Sequence, residues 1–230
     1  WLGLPRLALA AQCPVPDGAS PSLAARDVNE RIAFIEQTLP RARRNGQRWF
    51  VGWTTGFSAV TAAQLAWIPV ADDPVQTPVL LVNAASSAIG VVSLVVSPPR
   101  TAGNVRRMGA LVARPNDPCA VLADAEQLLV DASKGERFGK GWLTHAGNAL
   151  VGVGGGLVLG LGFEDWESTW LTTASGLVVG EIMIWTQPMD ATRDLEAYRS
   201  GAWSRRERVQ LRVRPQWSPR GSQLVVSGRF

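Results

Sequence analysis

The feature that most constrains the fold of this chain is a set of four long segments almost without charge. Three of them contain no charged residue over at least 23 positions, and the fourth is interrupted only by Glu181. A helix needs about 20 predominantly apolar residues to cross the hydrocarbon core of a bilayer. We therefore expect four transmembrane helices, rather than the buried helices of a water-soluble domain, in residues 49–71, 74–99, 141–163 and 168–189.

The placement of tryptophan favours the same interpretation. An indole has an apolar body and a polar N–H, so it prefers the level at which lipid meets water. A water-soluble core gives no reason for tryptophans to gather at segment ends. Seven of the ten tryptophans do so: Trp49, Trp53, Trp67, Trp142, Trp166, Trp170 and Trp185.

The charge balance indicates that polar and apolar stretches are segregated. Charged residues make up 18% of the chain and the mean hydropathy is nevertheless close to neutral, at +0.05. The net charge of +4 is concentrated at the end of the chain, where residues 205–230 hold seven arginines and one glutamate. A basic tail is typical of proteins that bind nucleic acid or anionic lipid, and export of the chain argues against nucleic acid.

The N-terminal residues predict that export. Residues 1–12 read WLGLPRLALAAQ, in which Ala8-Leu9-Ala10 fits the small-residue pattern of a signal-peptide cleavage site. We expect a signal-peptide remnant here, the alternative being an ordinary apolar N-terminus. Cys13 and Cys119 then lie in an oxidising compartment, where they either form a disulfide or remain two independent buried thiols.

The charged flanks leave the orientation in the membrane open. The connectors inside the two hairpins are acidic, at residues 72–73 and 164–167, whereas the outer flanks carry clusters of Arg and Lys. The positive-inside rule would place these basic flanks, and both termini, in the cytoplasm. A cleaved signal peptide would place the N-terminus outside, so the two inferences conflict.

An internal duplication is the second organising feature. Glu36 matches Glu126, 90 positions later, and the Gly52-Trp53 pair matches Gly141-Trp142. Each unit begins with an amphipathic helix, continues through a basic junction and ends with a two-helix hairpin. The alternative is a chance alignment of Gly- and Ala-rich helices. The first amphipathic helix is predicted to be capped by Ser20 and the second near Asp117.

The predicted fold is mainly α: a four-helix membrane-embedded bundle made of two repeated helix-plus-hairpin units, with a short C-terminal β-hairpin. Residues 1–12 are the signal remnant, 13–100 the first repeat and 101–190 the second. Residues 191–230 form a C-terminal helix and a basic tail whose alternating apolar residues predict the hairpin.

Small residues four positions apart predict close packing between the spans, because they let helix backbones approach in lipid. The duplication aligns one such pair in each unit, and similar pairs occur on the other two segments. The predicted helix-packing residues are Gly52, Gly56, Ser86, Gly90, Gly152, Gly156, Gly176 and Gly180.

We find no catalytic, metal-ligating or cofactor-binding motif, and we expect the chain not to be an enzyme. The polar candidates within the spans are Glu181, Asn148, His145 and Asn83. A carboxylate inside a span is costly unless it is neutral or paired. Folding the second hairpin about its connector predicts a contact between Glu181 and Asn148, in either an ion or proton site or a purely structural hydrogen bond.

The sequence favours a structural or interaction protein of a bacterial cell envelope, integral to the inner membrane and with an exported N-terminus. Its expected partners are the lipid bilayer and, through self-association or heteromeric contacts, envelope proteins. Nucleic acid is not expected. The alternative is a small transporter or channel component with an intramembrane carboxylate at Glu181.

Overall fold

A computed structural model describes residues 13–71, 75–113 and 117–203, together with the backbone of residues 212–218 and 221–227. In the first three ranges the regular structure is helical, as expected for a mainly α chain. The predicted signal remnant at residues 1–12 and the acidic pair at residues 72–73 lie outside the described residues.

Long helices alternate with short ones along the chain. The helices are α1 (Pro21–Ala24), α2 (Val28–Trp67, followed by a 3-10 turn at Ile68–Val70), α3 (Gln76–Val96), α4 (Thr101–Val112), α5 (Pro118–Gly139), α6 (Trp142–Phe163), α7 (Trp166–Thr186) and α8 (Asp190–Ser200). The C-terminal helix predicted within residues 191–230 is confirmed as α8.

The chain ends in two short strands, β1 (Arg212–Ser218) and β2 (Gly221–Ser227), which run antiparallel to each other. The structure describes no side chain in this segment and therefore gives no contact between it and the helices. These strands lie outside the part of the chain that is described with its side chains, and that part is helical. It therefore does not support the predicted basic β-hairpin, which stays a prediction.

One half of the molecule, here called the head, contains the apolar core. It consists of α1, the first half of α2, α4, α5 and α8, which contact one another. Four apolar residues of α5 are buried here (Leu122, Ala125, Leu128 and Leu129), and Ile35 and Leu39 of α2 pack into the same cluster. The two amphipathic helices therefore stack on each other in the head.

The other half, here called the apolar bundle, consists of the second half of α2 together with α3, α6 and α7. The two hairpins meet where α3 contacts α6 and α7. Large apolar side chains point outward along all four helices. Examples are Val60 of α2, Val92 of α3, Leu150 of α6 and Leu171 of α7, whose exposed fractions are 47%, 59%, 75% and 73%.

Two helical stretches among the described residues are long and apolar enough to cross a membrane. They are Gln76–Val112, which includes α3, and Pro118–Phe163, which includes α6. The sequence predicted four such segments. The other two, in α2 and α7, are helical but are not among these stretches, so four membrane spans stay a prediction.

The first amphipathic helix differs from its prediction in two respects. Ser20 precedes only the four-residue α1, and the long helix starts at Val28, where the Asp27 carboxylate accepts a hydrogen bond from the Asn29 backbone amide. The basic junction also does not end the helix, although Pro40 precedes it, because arginine, alanine and glutamine are good helix formers. As a result, α2 runs 40 residues without a break from the head into the apolar bundle.

The second unit does break between the head and the bundle. There α5 ends at Gly139 and α6 starts at Trp142, while Asp117 caps α5 as predicted by accepting from the Cys119 amide. The head and the apolar bundle each take helices from both predicted repeats, and the duplication itself stays a prediction.

A disulfide joins Cys13 to Cys119, whose Cα atoms are 5.2 Å apart, so the alternative of two free thiols is wrong. The bond fixes the segment before α1 to the start of α5 and closes a loop of 106 residues. Ser20 and Ser22 hold the other end of this segment by donating to the carbonyl of Ser200.

We predict that replacing both cysteines by serine lowers the free energy of unfolding of the head by up to about 4–5 kcal/mol. The reason is that an open loop of this length has more conformational entropy in the unfolded chain. Thermal unfolding of the purified full chain, with and without a thiol reductant, measures the effect. A wild-type protein as stable with reductant as without it would contradict the prediction.

Candidate functional site

The strongest cluster of polar side chains in the apolar bundle surrounds Glu181 on α7. Asn148 Nδ2, on the facing helix α6, donates to Glu181 Oε1 at 3.0 Å and also to the Leu177 carbonyl at 3.1 Å. The contact between Glu181 and Asn148 predicted from the sequence is therefore confirmed. His145 Nδ1, one turn earlier on α6, lies 2.8 Å from Glu181 Oε2.

Gly180 makes this geometry possible. The amide of Asn148 occupies the space where a Cβ at position 180 would lie, so any side chain there would displace it. The carboxylate of Glu181 therefore receives its two partners because the neighbouring residue has no side chain.

The cluster is not enclosed by protein. About one-third of each side chain in the ionisable pair is exposed, 36% for Glu181 and 34% for His145. Beside it an open apolar surface region with a volume of about 400 Å³, lined by residues of α7 alone and here called the cleft, runs from Leu177 past Ile182 to Trp185. The site is a polar group on the outer surface of the bundle, at the end of the bundle nearest the head.

Trp185 lies at the mouth of the cleft, between a cation and the histidine. Lys140 Nζ donates to the Trp185 carbonyl at 3.0 Å and lies 5.9 Å from the centre of its indole ring. The His145 ring centre is 6.1 Å from the same ring. One short stretch of surface therefore presents an ammonium, an imidazole and a carboxylate.

Two further tryptophans connect α2 to the same end of α7. Trp49 Nε1 donates to the Met183 carbonyl at 3.2 Å, and Trp53 Nε1 donates to Thr186 Oγ1 at 3.2 Å. The indole N–H groups are thus paired at the level where α2 passes from the head into the apolar bundle, which gives these two tryptophans a structural role.

Asn83, the fourth predicted polar candidate, does not join this cluster. It is half-buried on α3, and none of the hydrogen bonds found among the described residues links it to Glu181, Asn148 or His145.

Most of the small residues predicted to pack helices do so. A Cβ at Gly90 would lie 3.2 Å from Phe57, one at Gly152 would lie 3.2 Å from Leu177, and one at Gly156 would overlap Thr173. Gly176 approaches the Gly152 Cα, and Ser86 is 3.2 Å from the position of a Cβ on Gly155.

The close packing predicted for Gly52 and Gly56 is not found. A Cβ at either position would meet nothing within 4 Å. Both residues lie on the exposed side of α2, where neither hairpin covers the helix.

The head contains a buried ionic cluster that the sequence did not predict. The Arg31 side chain is 2% exposed, and its guanidinium donates to Glu126 Oε1 at 2.5 Å and to the Tyr198 hydroxyl at 2.9 Å. Tyr198 in turn donates to Glu126. Burial, followed by the hydrogen bond to Glu126, raises the pKa of Tyr198 above its ordinary value, so the hydroxyl stays protonated.

A second buried carboxylate, Glu136, holds the start of α8. It accepts hydrogen bonds from the backbone amides of Ala191 and Thr192, at 2.9 and 2.7 Å, and from the Thr192 hydroxyl. Burial raises the pKa of Glu136 above its ordinary value, and these hydrogen bonds oppose that rise. The helix α8 is thus capped by a side chain from α5.

A signal for the missed ionic cluster was present in the sequence. Arg31 lies within the apolar stripe of α2, between Val28 and Ile35, where an arginine is unexpected unless it is paired. That signal did not identify Glu126 and Tyr198 as the partners, because they come from distant parts of the chain. His145 was a predicted candidate, but its contact with Glu181 was not predicted, although His145 is three positions before Asn148 and so shares its helix face.

Among the described residues, no group of three or more His, Cys, Asp or Glu side chains is placed to hold a metal ion. The chain matches no protein-family model, no curated protein sequence and no solved structure.

We predict that Gly180→Ala destabilises the pair formed by α6 and α7 by about 1–3 kcal/mol, the usual cost of overpacking. The new methyl group would push Asn148 off both of its acceptors. Gly154→Ala is the matched control, because it meets nothing within 4 Å and gains helix propensity. Thermal unfolding in detergent measures both variants. Equal melting temperatures for Gly180→Ala and the wild type would contradict the prediction.

We also predict a pH dependence of stability from Glu136. The pKa of Glu136 is higher in the folded than in the unfolded chain. Its contribution to the free energy of unfolding is therefore fully present below the unfolded pKa and is lost as pH rises through the folded pKa. The free energy of unfolding of the wild type, relative to that of Glu136→Gln, should therefore decrease as pH rises from about 4 to 8. A difference that is constant over this range would contradict the assignment.

Proposed function

We propose that the chain is an integral membrane protein in which α3, α6, α7 and the second half of α2 all cross the bilayer. The observation that carries this proposal is the division of apolar surface between the two halves. In the head, most apolar side chains are buried against each other, whereas in the apolar bundle many of the large apolar side chains face outward. Hydrocarbon is the medium in which such a surface is stable.

The outward side chains also argue against a water-soluble core made of the same segments. Trp142, Trp170 and Trp185 are 74%, 73% and 69% exposed near helix ends. Soluble monomers rarely expose contiguous apolar patches larger than a few hundred Å², and here such side chains occur along all four helices.

The disulfide supports an orientation that the charged flanks left open. Disulfides form and persist in oxidising compartments, so we place the head, which contains Cys13 and Cys119, on the exported side. The connector between α6 and α7 then lies on the opposite side. This agrees with the predicted signal peptide and departs from the positive-inside rule.

We propose that the function is structural or interactive: a cross-linked helical head held at the surface of the inner membrane of a bacterial envelope, where it contacts a second copy or other envelope proteins. Buried polar bonds support a head of fixed shape. The carboxylate–arginine–tyrosine cluster joins α2, α5 and α8, and Arg41 of α2 adds an ion pair to Asp194 of α8 at 2.5 Å.

The second candidate is a small transporter or channel component. The hydrogen-bonded group of Glu181, His145 and Asn148 favours it, because ionisable residues within spans frequently mark ion or proton pathways. Proton flux into liposomes that contain the chain, abolished in Glu181→Gln, would establish this function in place of the structural one.

We predict that the full chain stays in the membrane after an alkaline wash. We also predict that the head and the connector between α6 and α7 are labelled from opposite sides of the membrane. Glu36→Cys reports on the head and Glu167→Cys on the connector between α6 and α7, and both side chains are exposed. A membrane-impermeant maleimide should label Glu36→Cys on intact cells from which the outer membrane has been removed. It should label Glu167→Cys only after permeabilisation.

Release of the protein by the wash would overturn the membrane proposal as a whole. Labelling of Glu167→Cys in intact cells, with Glu36→Cys protected, would leave the four spans in place and reverse the orientation.

A further inference from the structure

We propose that a small cavity in the head binds a free α-amino acid with an apolar side chain, whose ammonium group donates to Glu126 and whose carboxylate pairs with Arg199. The cavity lies between the segment that precedes α1 and the helices α5 and α8. It belongs wholly to the head, so the inference goes beyond the proposed structural function and does not depend on the four-span arrangement.

The cavity has a volume of about 170 Å³ and is lined by apolar and charged residues together. An apolar cavity of about 150 Å³ in another protein holds a molecule the size of benzene. The occupant is therefore comparable in size to a single amino acid and smaller than a drug-sized ligand. The apolar lining includes Ala123 and Val130 of α5 and Leu195 of α8, whereas Glu126 and Arg199 supply charge.

The wall formed by α5 presents a free hydrogen-bond acceptor. Glu126 Oε1 accepts from both the Arg31 guanidinium and the Tyr198 hydroxyl. The other carboxylate oxygen, Glu126 Oε2, has no hydrogen-bond partner in the described part of the chain. An ammonium group in the cavity can therefore donate to Oε2 without displacing a donor of the protein.

The wall formed by α8 presents a cation without a counter-ion. None of the ion pairs found among the described residues includes Arg199, and its Nε is buried there without a hydrogen-bond partner. A buried donor without an acceptor is costly. The backbone of Arg199 is held in place, because the Ser20 amide donates to its carbonyl at 2.9 Å. A carboxylate is a preferred partner of a guanidinium, and a ligand that carries one supplies the missing acceptor.

The two walls together select a ligand that carries both charges. A carboxylic acid without an amine would bring negative charge to Glu126, and an amine without a carboxylate would bring positive charge to Arg199. Because both residues line one small cavity, a single small molecule can reach them. A free amino acid has its two charged groups on the same carbon atom, and its side chain can lie against Val130 and Leu195.

The test compares L-valine with two molecules that each lack one of its charged groups. Isovalerate lacks the ammonium and isobutylamine lacks the carboxylate, while all three share the branched apolar end. Isothermal titration calorimetry of the purified full chain in detergent measures the dissociation constants. We expect each analogue to bind at least about tenfold more weakly than valine, because each leaves one charged residue of the cavity without its partner.

Variants of α8 test the role of the cation. Arg199→Gln should weaken valine binding at least about tenfold and should not weaken the binding of isobutylamine, which has no carboxylate to lose. The Arg199 side chain makes no hydrogen bond or ion pair among the described residues, so the variant should fold. Arg193→Gln is the matched control, since it removes the same charge from an exposed position of α8 away from the cavity.

A variant of α5 tests the cavity itself. Ala123 lines the cavity and its side chain is exposed, so Ala123→Phe can fill the space without displacing the core of the head. This variant should lose valine binding while its melting temperature stays at the wild-type value.

A wild-type chain that shows no saturable binding of valine, or that binds either analogue as tightly as valine, would overturn the proposal. Equal affinity for N-acetylvaline amide would also overturn it, since that molecule has the neutral groups of a peptide in place of both charges. Wild-type affinity for valine in a folded Arg199→Gln or Ala123→Phe variant would place the ligand elsewhere and contradict the assignment of the cavity.

Discussion

The constraint on which the rest of this structure depends is the amount of apolar side-chain surface that its own helices leave uncovered. The helices of the head bury their apolar stripes against each other, and Ile35, Leu122 and Leu129 are 1% exposed or less. Beyond the head, the same chain turns residues such as Leu150 and Leu171 outward. The proposed hydrocarbon phase would remove the cost of this exposure, and several other features of the apolar bundle agree with such a phase. Small residues pack the helices, indoles lie at their ends and the carboxylate is hydrogen-bonded.

Helix α2 connects the head directly to the apolar bundle. It carries Arg31 and Arg41 into the ionic contacts of the head, and 18 residues after Arg31 it places Trp49 against α7. The second unit connects the same two halves through the break between α5 and α6, where Lys140 contacts Trp185. The end of α7 is therefore held by both units. Glu181 lies at this junction between the two halves of the molecule, close to the proposed surface of the membrane.

The sequence predicted the local elements well because their signals are local. Uncharged length located the four long segments, and Pro118 after Asp117 located the start of α5. It also predicted the contact between Glu181 and Asn148, since hairpin geometry alone brings these residues together. It failed where structure depends on distant partners. The pairing of Arg31 with Glu126 and Tyr198, and the capping of α8 by Glu136, require the stacking of α2, α5 and α8, which no local pattern contains. The basic junction of α2 was wrongly predicted to interrupt the helix, because a cluster of charge ends a membrane span but does not end a helix.

The most direct test of the central claim is the environment of the outward apolar side chains in a bilayer. Both native cysteines are in the disulfide, so a spin label can be placed at a single new cysteine. Labels at Leu150 and Leu171 in liposomes should collide readily with oxygen, which concentrates in hydrocarbon, and rarely with a water-soluble nickel chelate, whereas a label at Glu36 should show the reverse. If Leu150 and Leu171 were instead as accessible to the nickel chelate as Glu36, the apolar bundle would lie in water or against another protein, and the membrane account would be contradicted.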